Sequence, residues 1–169
     1  MQRRMRTVTR YFVLGGALAL ITALGVIFTF VVTHRTSVAT TQDSADAEFF
    51  RLRARFAGEH PLLDMSRRRV SGVATRTAVT TPLRSFHTVI FDSRGSQRLV
   101  RIDVPYWFAR RFGGRDGEFK WLGQLTFLDD TEFDPEAIRL SLFEIERGGP
   151  GLIADYRHTD GGQFISWVE

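Results

Sequence analysis

Residues Tyr11 to Val32 read YFVLGGALALITALGVIFTFVV, a run of 22 positions without a charge. As a helix this run is about 33 Å long, which matches a hydrocarbon core about 30 Å thick. Thirteen of its residues are Leu, Ile, Phe or Val. At about −0.3 to −0.6 kcal/mol each, they contribute roughly −4 to −8 kcal/mol towards insertion. A helix that is apolar on every face over such a length does not suit the surface of a soluble domain. The run therefore predicts a transmembrane helix over residues 11–33. It splits the chain into a basic tail (1–10), a polar tether (34–42) and a domain (43–169).

The flanks predict the orientation. The tail carries Arg3, Arg4, Arg6 and Arg10 and no acid, whereas Thr33 to Gln42 has only His34 and Arg35. The positive-inside rule then puts the N-terminus in the cytoplasm and the domain outside, at the inner membrane of a cell. A cleaved signal peptide is the rival reading, with Ser37 and Ala39, or Ala45 and Ala47, as small residues at a cleavage site. Within the span, Gly15, Ala19 and Ala23 recur every fourth residue, a candidate stripe for close packing against another helix.

Charge has to be divided before it is used. The formal net charge is +4, and the tail alone supplies four arginines, so residues 33–169 balance at zero. That speaks against a nucleic-acid partner, which calls for a basic surplus. The balance hides an asymmetry: residues 34–115 carry +8 and residues 116–169 carry −8. The two halves packing on one another explains this, as does head-to-tail association of copies or an acidic face for a basic partner. With 22 arginines against the single Lys120, the composition suggests a GC-rich bacterial genome. No cysteine is present, which removes disulfides, thiol nucleophiles and cysteine metal sites.

Thr33 to Gln42 is rich in Thr and Ser and reads as a tether with no packing face. A helix is expected next, capped by Asp43 or Ser44, with Phe49, Leu52 and Phe56 on its inner face and Gly58 at its end. Leu62 to Met65 reads as a short extended segment, and Ser66 to Arg84 as a long loop whose Arg67, Arg68 and Arg69 are solvated. Phe86 to Phe91 and Leu99 to Val104 predict a hairpin. On its second strand Leu99, Arg101 and Asp103 would share a wet face, with Val100, Ile102 and Val104 on a buried one. Pro105 then opens a short helix, Tyr106 to Phe112, with Phe108 and Phe112 inward. Trp107, Arg110 and Arg111 form its candidate interaction patch, for the membrane surface or for a partner.

Glu118 to Leu128 alternates and reads as a strand around Trp121. Asp130, Glu132, Asp134 and Glu136 lack the spacing of a helix–loop–helix calcium site. They are better read as the start of a helix, with Asp134 as cap and Pro135 in its first position. That helix is expected to run to Arg147, with Ile138, Leu142 and Ile145 inward, and to stop at Gly148-Gly149-Pro150-Gly151. Because this glycine run follows a helix and leads into a strand, it is not a phosphate cradle. A last hairpin joins Leu152–Tyr156 to Phe164–Val168 through Asp160-Gly161-Gly162.

No GxSxG, P-loop, HExxH or paired-cysteine motif is present, and His34, His60, His87 and His158 fall in separate elements. No catalytic, cofactor-binding or metal-ligating residue is singled out, and no cofactor is expected. LVRIDVPYWFARRF after a hairpin, followed by ERGGPGLIADY and the late Trp167, resembles a group of small uncharacterised bacterial single-pass membrane proteins. The likeness covers residues 86–112 and 140–169. It implies an anchored α+β domain and carries over no functional residue.

The expected fold is thus α+β: one N-terminal transmembrane helix, then an antiparallel sheet with helices on one face. The expected function is a membrane-anchored extracytoplasmic interaction or accessory protein of the bacterial envelope. Its partners would be the lipid bilayer and another envelope protein or a second copy. The alternatives are a ligand- or peptide-binding sensor domain and an enzyme whose site is assembled from distant residues.

Overall fold

Thr41 opens the first helix of the folded region. Its backbone is extended, and its hydroxyl accepts the Ser44 N–H at 3.4 Å, so one of the helix's free donors is satisfied. The cap is two to three residues earlier than Asp43 or Ser44, and Asp43 instead favours the positive end of the helix dipole. In this computed structural model the described residues are 16, 22, 25, 29, 33–64, 71–73, 81–112 and 140–169. In chain order the elements are β1 (Arg35–Ala39), α1 (Gln42–Arg55), β2 (Leu63–Asp64), β3 (Ser71–Val73), β4 (Ser85–Asp92) and β5 (Arg98–Pro105). They continue with α2 (Tyr106–Phe112), α3 (Leu142–Gly148), β6 (Gly151–Arg157) and β7 (Gln163–Val168).

The chain forms two compact units, Met1–Arg35 and Thr36–Glu169. In the first, Gly16, Thr22, Gly25, Thr29 and Thr33 have helical backbone. Thr29 and Thr33 donate their hydroxyls back to the carbonyls four residues earlier, at 2.9 and 3.0 Å. Among the described residues no helix is long and apolar enough to cross a membrane. The remainder of the 11–32 run, including Gly15, Ala19 and Ala23, lies outside the described residues.

The second unit is α+β. Its sheet has the order β1-β5-β4-β7-β6-β2-β3. The two hairpins expected from the sequence are its centre: β4 pairs antiparallel with β5, β6 with β7, and β4 with β7 joins them. The short β2 then pairs parallel with β6, placing Leu63 opposite Ala154. Outside β5 the chain adds β1, so the segment read as a tether is an edge strand. Thr40 N–H bonds Gln97 O at 3.0 Å and Arg98 Nε donates to Ser37 Oγ at 2.9 Å. Thr and Ser suit such a strand because one side of it stays in water, and the exposed burial pattern of β1 agrees.

Helix α1 lies on one face of the sheet. Ala45, Phe49 and Leu52 pack with Val89, Phe91, Leu152, Ile165 and Trp167 into one core, flanked by Phe56 and Leu99. The opposite face is also closed: Phe86, Ile90, Ile102, Val104, Phe164 and Val168 are buried. Alternation in β5 holds only as a gradient, with Ile102 and Val104 buried and Leu99, Arg101 and Asp103 half-buried. In β7 every position is buried, because this strand has neighbours on both edges and cover on both faces. Its polar residues are satisfied inside. Ser166 Oγ lies 3.1 Å from Thr88 Oγ1 and 3.0 Å from His87 O.

Two helix expectations change. Of the helix read from Asp134 to Arg147, residues 134–139 lie outside the described residues, and within the described ones α3 begins at Leu142. Ser141 is its N-cap and forms a reciprocal capping box with Glu144, at 3.2 and 2.7 Å. Within α3 Ile145 is buried and Leu142 half-exposed. In α2 the buried residues are Tyr106 and Ala109, and Phe108 is half-buried. The side chain of Phe112, the strand read around Trp121 and the acidic residues Asp129 to Glu136 lie outside the described residues.

The β4–β5 turn carries a pH dependence. Asp92 accepts the N–H groups of Arg94, Gly95 and Ser96 at 2.9–3.1 Å. Burial pushes its carboxyl up, but these hydrogen bonds outweigh it and hold the group below the ordinary aspartate value. A folded-state value below the unfolded one stabilises above the unfolded value, about 3.9, and the contribution fades as pH falls through the lowered value. Asp92→Asn is therefore expected to flatten the acid limb of stability against pH below about 4. Thermal unfolding at a series of pH values checks this, and an unchanged acid limb would contradict it.

Candidate functional site

Pro105 ends β5 and Tyr106 begins α2, whose N–H bonds back to Arg84 O at 2.8 Å. This fixes the helix at the end of the sheet. Burial and the Glu146 carboxylate both push the Tyr106 phenol up, so its O–H remains a donor, here to Glu146 Oε1 at 3.3 Å. Arg110, one turn further along α2, reaches the same carboxylate at 3.8 Å. Glu146 thus joins α2 to α3.

Around that joint the surface is aromatic and basic. Trp107 is 62% exposed and Phe143 on α3 is 70% exposed, values that leave most of each ring to solvent. Trp107 sits edge-on to Phe108, with ring centroids 5.8 Å apart. Arg110, Arg111 and Arg147 are exposed beside them. The three residues singled out from sequence, Trp107, Arg110 and Arg111, therefore share one exposed surface. Phe143 and Arg147 are exposed on α3, which Glu146 links to α2. Ile145 takes the inner face of α3, as its spacing predicts, and Phe143 the outer one.

A second polar group lies under the C-terminal end of α1. His87 on β4 faces Asp103 on β5 and Trp167 on β7 across the ladder. His87 Nδ1 is 2.6 Å from Asp103 Oδ1, and since an ionised carboxylate only accepts, Nδ1 carries the proton. The imidazole stacks on Trp167 with centroids 5.0 Å apart and planes 15° apart. Trp167 Nε1–H donates to Glu169 at 3.1 Å, and Arg55 reaches the same carboxylate at 2.8 Å. These contacts, the Trp167 bond first, outweigh burial and hold Glu169 below the ordinary glutamate value. His87 Nε2 is enclosed, 4.0 Å from Glu169 Oε2. The contacts of His87 with Asp103 and Trp167 tie β4 to its neighbours β5 and β7.

His158, buried in the last turn, pairs with Asp160 at 2.5 Å, and Asp160 also pairs with Arg94. This contact ties the two hairpin turns to each other. Cross-strand pairing brings His87 to Asp103, whereas His158 meets Asp160 two residues on within one turn. Among the described residues no group of three or more His, Asp or Glu side chains is placed to hold a metal ion. Comparison with protein-family models, with curated proteins and with solved structures gives no match.

Proposed function

We propose that this chain is a single-pass membrane protein of the bacterial envelope whose extracytoplasmic domain works by contact rather than by catalysis. The anchor is the uncharged run 11–32, and the arginine tail favours a cytoplasmic N-terminus. The observation that carries the binding role is the exposed surface of Trp107, Arg110 and Arg111, extended by Phe143. Exposed aromatics grouped with arginine are the residue types over-represented at interfaces. The titratable groups paired beneath α1 serve the fold, which supports an interaction or accessory role.

Two experiments test this. The chain has no cysteine, so Ser96→Cys introduces a single thiol, at an exposed turn position. An impermeant thiol reagent is expected to label it in cells with a permeable outer layer and an intact inner membrane. Labelling only after lysis would refute the topology. A photo-crosslinking residue in place of Trp107 is expected to give adducts in living cells that one in place of Val38, exposed on β1, does not. Equal or absent adducts at both positions would remove the binding role from this surface. Self-adducts would make Gly15, Ala19 and Ala23 the first residues to change.

A further inference from the structure

We infer that the Trp107–Phe143 surface docks on the anionic headgroup layer of the bilayer that anchors the chain. This rests on the anchor reading above and names the partner of the same surface.

Three observations lead to it. First, the residue types are those of a membrane interface. Trp has an apolar ring with a polar N–H and settles at headgroup depth, and arginine stems lie along apolar surface while their heads reach phosphate. Trp107 and Phe143, at 62% and 70% exposure, supply the apolar part.

Second, the charge is complementary to anionic lipid. Arg110, Arg111 and Arg147 are exposed at this surface, and the acid at its centre, Glu146, is engaged by Tyr106 and Arg110. Guanidinium groups bind phosphate oxygens in a bidentate fork, so headgroup phosphates suit them.

Third, the surface lies at the end of the sheet where the chain comes in. Thr40, just after β1, bonds Gln97, just before β5, so the two neighbouring strands run antiparallel. The start of β1 therefore lies towards Pro105, where β5 passes into α2. The uncharged run ends at Val32 and β1 begins at Arg35, so only two residues separate them in sequence. Tethering makes docking intramolecular, so a weak contact is enough to populate it.

The test uses the full chain in vesicles of phosphatidylcholine alone, or with one third phosphatidylglycerol. A nitroxide is placed at Phe143→Cys or, as an anchor reporter, at Thr22→Cys. Its accessibility to oxygen and to a water-soluble nickel complex gives its depth. The expected result is a label at 143 at headgroup depth on the anionic vesicles and in water on the zwitterionic ones. Trp107→Ala, the pair Arg110→Glu with Arg111→Glu, or molar salt should each reduce the docked fraction about tenfold. The salt arm needs no variant, so it holds if the charge reversals fail to fold. A label at 143 in water on both vesicles, with the Thr22 label in the bilayer core, overturns docking and leaves the anchor standing, with the surface free for a protein. A Thr22 label in water overturns the anchor and the docking together.

Discussion

Replacing Phe49 by Ala is expected to cost about 3–5 kcal/mol, the usual loss for removing a buried phenyl ring from a packed core. Phe49 is fully buried, at 0% exposure, and it is the central contact of α1 with Leu152, Ile165 and Trp167. Its neighbours Ala45 and Leu52 cannot move in to fill the gap, because one helix and two central strands hold them. For a unit of this size the loss lowers the unfolding midpoint by about 10 °C or more. Thermal unfolding of the full chain in mild detergent, followed by tryptophan emission, measures it. A fall of less than about 3 °C would mean that α1 adds little to the core.

The second large effect is expected at Arg53. Its guanidinium makes a bidentate pair with Asp155, with bonds of 2.8–3.0 Å, and donates to Gln163 Oε1 at 2.6 Å. The same group lies 5.4 Å from the centre of the Phe49 ring. Gln163 in turn donates to Asp46, which also accepts from Gln42 at 3.2 Å. Side-chain exposures of 30% for Arg53 and 27% for Asp155 set this pair apart from surface ion pairs, which contribute little. Arg53→Ala leaves a carboxylate and a buried amide oxygen without their donor and is expected to cost about 2 kcal/mol. A double-mutant cycle with Asp155→Ala is expected to show a coupling of about 1 kcal/mol, because the two residues share one network. Additivity within about 0.3 kcal/mol would reduce the pair to a coincidence of packing.

These two residues mark how far the sequence could be read. The Phe49–Leu52–Phe56 spacing identifies the inner stripe of α1 without any tertiary information, since helical periodicity places those positions on one face. By the same periodicity Arg53, one position from Leu52, falls on another face of the helix. Its long stem nonetheless reaches past the rim of the stripe to Asp155, more than a hundred residues away. Nothing local encodes that distance.

The same contrast holds at the surface. Trp107, Arg110 and Arg111 could be grouped from sequence because they lie within one turn and a half of one helix. Phe143 and Arg147 could not, since only the contacts of Glu146 with Tyr106 and Arg110 bring α3 beside α2. His87 stood as an isolated residue until the ladder set it beside Asp103.

What the sequence determined by itself is local. It set the apolar run and its arginine flank, both hairpins, the stripe of α1, and the glycines that stop α3. Each depends on residues within a few positions of one another, where periodicity, turn chemistry and transfer energy act directly. Only the tertiary structure decided the rest. It made the polar stretch before α1 an edge strand, because the side of β5 was open to receive it. It buried all of β7, because a central strand has cover on both faces. In each case the outcome depended on what lay beside the segment in space.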